Sequence, residues 1–204
     1  MTAAQSMSAR LSAQLDFVLT CDHLKTVLRT TRLHDGSRLE NSAEHSWHLA
    51  LLALTLAEYA PTGTDVGRVV RLLLMHDLVE IGAGDLSFDA PAEAQAAQQE
   101  AEARAAAELF GLLPTDQAAE FLGLWQEFEA RQTPEARFAR ALDALQPILL
   151  TWGPGAQGCA ASHPELTRSL VLGLKEKHLR EFPELWMAAQ EVLKQAQVRG
   201  VLQP

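Results

Sequence analysis

The run Leu72-Leu73-Leu74-Met75-His76-Asp77-Leu78-Val79-Glu80-Ile81-Gly82-Ala83-Gly84-Asp85 constrains this chain more than any other stretch. Four large apolar residues lead into an imidazole and three carboxylic acids, in a segment too hydrophobic to lie on the surface. Burying an unpartnered charge is costly, or drives the group to its neutral form, so these side chains imply a shared compensating charge. A divalent cation is the simplest one.

The rest of the chain predicts what brackets that run. Hydrophobic residues make up 48% of the 204 residues but aromatic residues only 6%, with much Ala and Leu, which favours helix packed on helix over strands. The expected fold class is all-α, a single domain with no long linker. Met1 to Ser8 is small and polar and reads as disordered. Leu11, Leu15, Val18 and Leu19 recur at helical spacing, and Leu24, Val27 and Leu28 continue as a short second helix capped by Asp22. Thr30 to Asn41 reads as an exposed loop turning at Asp35-Gly36-Ser37. Ser42 is expected to cap the next helix, with His45 three positions on, and Thr64 or Asp65 to cap the one that carries His76-Asp77. The glycines at 82 and 84 end that helix, and residues 85–91 form a loop. Ala92 to Leu112 predicts a long helix, half exposed or mobile over a cleft. Pro114 starts another, and Thr133-Pro134 opens a helix whose apolar face includes Phe138, Leu142 and Leu145 and which contains Asp143. A glycine-containing loop follows Trp152, and two final helices, about 164–178 and 183–198, complete the bundle.

Several function classes drop out on charge and composition. A formal net charge of −9 argues against a binder of nucleic-acid polymers, which needs a basic stripe against the phosphates. A small anionic ligand remains compatible, because a metal and one or two arginines create a local positive site. Cys21 and Cys159 are far apart and form no CxxC, which suits a reduced cytoplasmic protein. No apolar window reaches the length of a signal-peptide core or a membrane span, so no membrane partner is expected.

His45, His76, Asp77 and Asp143 are the candidate metal ligands. Adjacent helical residues diverge by about 100°, so His76 and Asp77 can share an ion only at the edge of their helix. Two imidazoles and two carboxylates suit one divalent ion such as Mn, Co, Fe, Ni or Zn. Glu80, one turn beyond, could orient a water or accept its proton, and Asp85 could approach the same water or protonate a leaving oxygen.

These residues resemble a known family, the HD-domain metal-dependent phosphohydrolases, and among them most closely the 5′-deoxynucleotidase branch. The matching blocks are Leu24 to Arg29, Glu40-Asn41-Ser42-Ala43-Glu44-His45-Ser46, His76 to Asp85, and Ala141-Leu142-Asp143. The resemblance implies that His45, His76, Asp77 and Asp143 hold the metal, that Glu80 and Asp85 are the catalytic pair beside the reacting phosphate, and that Arg29 binds the substrate phosphate. It implies a small phosphorylated substrate such as a nucleoside 5′-monophosphate, and a homodimer. One position departs from that branch: Thr30, Thr31 and Arg32 follow Arg29, where the branch has a tryptophan that reads the sugar. The blocks supply only Arg29, Arg32 and Arg38 near the site, which favours a monophosphate over longer phosphate chains. The rival readings are a phosphodiesterase or triphosphohydrolase on the same site, and a non-catalytic nucleotide sensor. Arg38 and Glu44 are candidates to pair beside His45, and His48 reads as structural.

Overall fold

The computed structural model describes residues 7–87, 90–156 and 166–203. Cys159, His163 and the start expected at Pro164 for the penultimate helix lie outside the described residues, as do the first six residues. Among the described residues the chain is helical apart from one small hairpin, in agreement with the all-α expectation.

Helix α1 (Ala9–Cys21) is capped by Ser8, whose hydroxyl accepts from the Leu11 N–H at 3.2 Å, so Ser8, in the stretch expected to be disordered, has a defined place. After α2 (Ser42–Thr55), α3 (Val66–Met75) and the short α4 (Glu80–Ala83) come α5 (Ala92–Phe110), α6 (Thr115–Ala130), α7 (Pro134–Trp152), α8 (Arg168–Leu179) and α9 (Pro183–Val198). Helix α7 is central and touches α2, α3, α6, α8 and α9. Thr133 caps it by accepting from the Ala136 N–H at 3.1 Å, and Pro134 occupies the first helical position, where its missing N–H goes unneeded. Phe138, Ala141, Leu142 and Ile148 of α7 are fully buried. With Leu49, Val69, Leu72, Phe128, Leu179 and Leu193 they form the larger apolar cluster. A smaller cluster joins Phe17, Leu24, Leu78, Val79, Ala106, Leu109, Phe110 and Trp125. Met75 packs against both, so the His76-Asp77 pair that follows it stands at the seam between them.

Two local expectations are corrected. The short second helix is a single 3-10 turn, Asp22–Thr26, and Leu28–Arg32 is a strand (β1) paired antiparallel with Leu39–Asn41 (β2). What read as an exposed loop is therefore a hairpin, whose turn has Gly36 at φ 72° and the Ser37 N–H donating to Asp35 at 2.9 Å. Val27, Thr30 and Thr31 are β-branched and tolerate the extended backbone well. The cap of α2 is Asn41 rather than Ser42: its side chain accepts from the Glu44 N–H while the Glu44 carboxylate accepts from the Asn41 N–H, a reciprocal capping box. Ser42, released from capping, is the first helical residue and is buried.

Candidate metal centre and its cleft

The backbone changes geometry where the chemistry begins. Helix α3 stops at Met75, and His76–Val79 forms a 3-10 turn before α4. The His76 ring is fixed by its Nδ1, which lies 2.7 Å from the Leu73 carbonyl oxygen. A carbonyl only accepts, so Nδ1 carries the proton and Nε2 presents a lone pair. That Nε2 is buried and has no hydrogen-bond partner among the described residues, although Asp77 Oδ1 lies 2.9 Å away. Two lone-pair atoms thus face each other inside the fold, an arrangement that a cation between them relieves.

Helix α2 delivers His45 and α7 delivers Asp143. His45 is fully buried, and its Nε2 lies 3.0 Å from Asp143 Oδ1 and 3.9 Å from Asp77 Oδ2. Ligand atoms of His45, His76 and Asp143 all lie within 4.8 Å of one another. Asp77 sits beside this set, against His76 on one side and Arg29 on the other. The donor set, two imidazoles and two carboxylates in a buried pocket, fits a divalent ion. Asp143 titrates well below the usual carboxylate range: burial opposes ionisation but is outweighed by Arg140, whose Nη1 lies 2.8 Å from Oδ2, and by the two histidines. Asp77 is likewise lowered: burial opposes ionisation, and positive charge around it, that of Arg29 included, outweighs it.

Glu80 and Asp85 lie on the cleft side of this cluster. Ser42 Oγ donates to Glu80 Oε2 at 2.5 Å, and Glu80 and Asp85 stand close enough for each to shift the other's ionisation. Burial, then the charges of Asp77 and Asp85, push Glu80 up to about 10, and burial also raises Asp85 against the pull of Arg29. Gly84 delivers Asp85: it leaves α4 at φ 77°, ψ 164°, a backbone region open essentially to glycine.

Arg29 comes from β1 rather than from the expected helix, and its side chain is turned inward with 13% exposure. Its Nη1 lies 3.2 Å from Asp77 and 3.5 Å from Asp85. These carboxylates keep the guanidinium charged despite burial. Arg38 and Glu44 pair at 2.6 and 2.8 Å beside the cap of α2. His48 has its Nδ1 3.2 Å from the Gln146 amide and its ring stacked on Trp47, away from the cluster.

One residue of the centre had no role in the sequence reading. Glu40 is 1% exposed, accepts from the Gln146 amide at 2.7 Å through Oε1, and turns Oε2 to His45 Nδ1 at 3.5 Å and Arg29 Nε at 3.6 Å. All three of those facing atoms lack a hydrogen-bond partner among the described residues. The available signal was its place on the pleat: Glu40 is the middle residue of β2, and its strand partner carries Arg29.

The cleft has a volume of about 330 Å³. The metal cluster lies at its base, α5 contributes Gln95, Gln98, Gln99 and Glu102, and α7 and α8 form the opposite wall. A helical bundle holding a histidine and aspartate cluster under such a cleft is built for metal-assisted chemistry on a small ligand.

The sequence matches the family described as HD domain across residues 21–186. It is 34% identical over 152 residues to the 5′-deoxynucleotidase HDDC2 of Xenopus laevis, covering 73% of each chain. It is 31% identical over 138 residues to the human protein of the same name, covering 66% of this chain and 65% of that one. A crystal structure of a predicted metal-dependent phosphohydrolase from Magnetospirillum magnetotacticum MS-1 superposes with a TM-score of 0.82 at 46% identity, covering 97% of this chain and all of that one. The chain belongs to the HD domain family.

Proposed function

We propose that this chain is a metal-dependent phosphohydrolase that releases inorganic phosphate from a small phosphomonoester, with a nucleoside 5′-monophosphate as the leading substrate class. The observation that carries this reading is the pair of opposed lone pairs on His76 Nε2 and Asp77 Oδ1, 2.9 Å apart and next to His45 and Asp143. The deoxynucleotidase names of relatives at 31–34% identity support the substrate class.

His45, His76, Asp77 and Asp143 would hold one divalent ion of the Mn, Co, Fe, Ni or Zn type, which supplies Lewis acidity and lowers the pKa of water. Arg29 grips phosphate oxygens from the hairpin side. Glu80 and Asp85, both raised by burial, handle the protons as a pair. As the water oxygen bonds to phosphorus, the pair takes up a proton. As the ester P–O bond breaks, it returns one to the leaving oxygen, so the two carboxyls finish as they began. Ser42 fixes Glu80 for this from the first turn of α2.

We read the chain as one domain acting in the cytoplasm, and no helix of the described residues is long and apolar enough to cross a membrane. We also propose a homodimer: Trp47, Leu51 and Leu54 on α2 are 64%, 47% and 62% exposed, a surface that a second copy would cover.

The test is a panel of nucleotides and sugar phosphates offered to protein loaded with Mn or Co, with phosphate, pyrophosphate and triphosphate measured separately. Phosphate alone is the expected product, lost in His76→Ala and Asp143→Ala. Release of triphosphate would replace this reading with the triphosphohydrolase one, and binding without turnover with a sensor.

A further inference from the structure

The α7–α8 wall of the cleft carries a charge pattern that the hydrolytic groups leave unused. Arg131 follows the end of α6, Arg140 lies on α7, and Lys175, Lys177 and His178 come from the last turns of α8. All five line the same cavity as the metal centre, in a chain of net charge −9. None of them belongs to the sequence blocks that drew attention to the site, which is why the supply of basic residues looked thin there.

Acidic neighbours offset this wall only in part. Arg140 pairs with Asp143, and Arg131 Nη2 lies 3.7 Å from Glu129. The Nε atoms of both guanidiniums are buried without a hydrogen-bond partner among the described residues. The cations also act on the neighbouring ring and on one another. His178 is pushed down to about 3, by burial first and then by Arg140, Arg131, Lys177 and Lys175. Lys175 falls to about 8 through burial, against the pull of Asp143. The dipole of α8 favours cations in its last turn, which accounts for Lys177 but for neither arginine. Arg131 further sits at φ 54°, a left-handed position that disfavours a residue with a Cβ by about 1–2 kcal/mol. The facing helix α5 offers neutral Gln95, Gln98 and Gln99 and a single carboxyl, Glu102, which Arg140 feels at a distance, and Arg29, on the hairpin side, is already surrounded by Asp77, Asp85 and Glu40.

A phosphomonoester whose remainder is neutral would put its phosphate at the metal centre and bring no anionic group to Arg131, Arg140 and Lys177. We propose that Arg131, Arg140 and Lys177 form a second anion subsite, and that the preferred substrate is a phosphomonoester bearing a second phosphate remote from the scissile one, as a nucleoside bisphosphate does. This rests on the phosphomonoesterase reading above and narrows its substrate. The scissile phosphate lies between Arg29 and the metal ligands, the body of the substrate crosses the cleft under the α5 glutamines, and the second phosphate meets the α7–α8 wall.

The experiment compares adenosine 3′,5′-bisphosphate with adenosine 5′-monophosphate on the Mn-loaded full chain. Phosphate release gives KM and kcat, and calorimetric binding is measured in parallel on Glu80→Gln protein. The expected result is a KM at least tenfold lower for the bisphosphate, with binding that weakens more steeply as salt rises. Combined Arg131→Gln and Lys177→Gln should erase most of that preference, whereas Arg131→Lys with Lys177→Arg should keep it. Equal KM values for the two substrates, or a double substitution that moves both alike, would overturn the subsite. Tight, salt-sensitive binding of the bisphosphate without release of phosphate from any substrate would support the subsite and sink the hydrolase reading instead.

Discussion

At Glu40 three buried polar atoms meet without closing a hydrogen bond, and their arrangement sets a requirement on His45. His45 can give its Nε2 lone pair to an ion only when its proton sits on Nδ1, and the acceptor facing Nδ1 is Glu40 Oε2. Carboxylates placed behind a ligating histidine fix its tautomer and raise its basicity, and their loss costs about 10- to 100-fold in metal affinity. Glu40→Gln is therefore expected to weaken divalent-ion binding by about that factor, measured by competition with a chromogenic chelator. An affinity within twofold of the parent would remove Glu40 from the centre. His178 gives a second residue-scale prediction. Its folded pKa of about 3 lies below the ordinary 6.5, so the unfolded chain takes up a proton that the folded chain refuses. The resulting stability is complete above pH 6.5 and is lost as pH falls from there towards 3. Urea midpoints of the parent and His178→Gln should converge or cross on going from pH 7 to pH 4.5; a gap independent of pH would contradict it.

Among the elements, the turn at Gly84 ties local backbone to chemistry. Gly84→Ala meets no steric neighbour, because a Cβ there would point into open space, so any effect comes from the backbone region alone. The expected cost is about 1–3 kcal/mol of local strain. Asp85 would be displaced, with kcat falling more than KM changes and metal content staying at the parent level. An unchanged kcat would separate Asp85 from that turn. The elements also show what the sequence could and could not disclose. Long periodic helices such as α7, with Thr133-Pro134 at its start, were readable because cap, proline and apolar face agree. Leu28 to Asn41 was not, since Leu24, Val27 and Leu28 mimic helical spacing while the short strands offer only three to five residues of pattern. The ionisable residues of the His76 run were legible because they interrupt an apolar helix. Arg131 and Lys177 were not, because a basic residue after a helix end and a charged last turn both read as solvated surface, and only the packing of α6 and α8 against α7 gathers them.

On the scale of the whole molecule, the centre joins parts that are far apart in the chain: α2, the turn after α3, and α7. An ion that binds the folded chain and not the unfolded one stabilises it by about 2.7 kcal/mol at a hundred times its Kd. For a chain of this length that corresponds to roughly 5–10 °C in Tm. Treatment with a chelator followed by dialysis should lower Tm by that amount, and adding back Mn or Co should restore it; a Tm indifferent to both would argue that the cluster holds no ion. Where the loss is felt follows from Met75, which touches both apolar clusters just before the ligands begin. The ion would act there as a rivet through a hinge line. Amide exchange in the stripped protein should quicken first along residues 76–83, while the interior of α7 stays protected, so that the reactive centre doubles as the clasp holding two lobes shut.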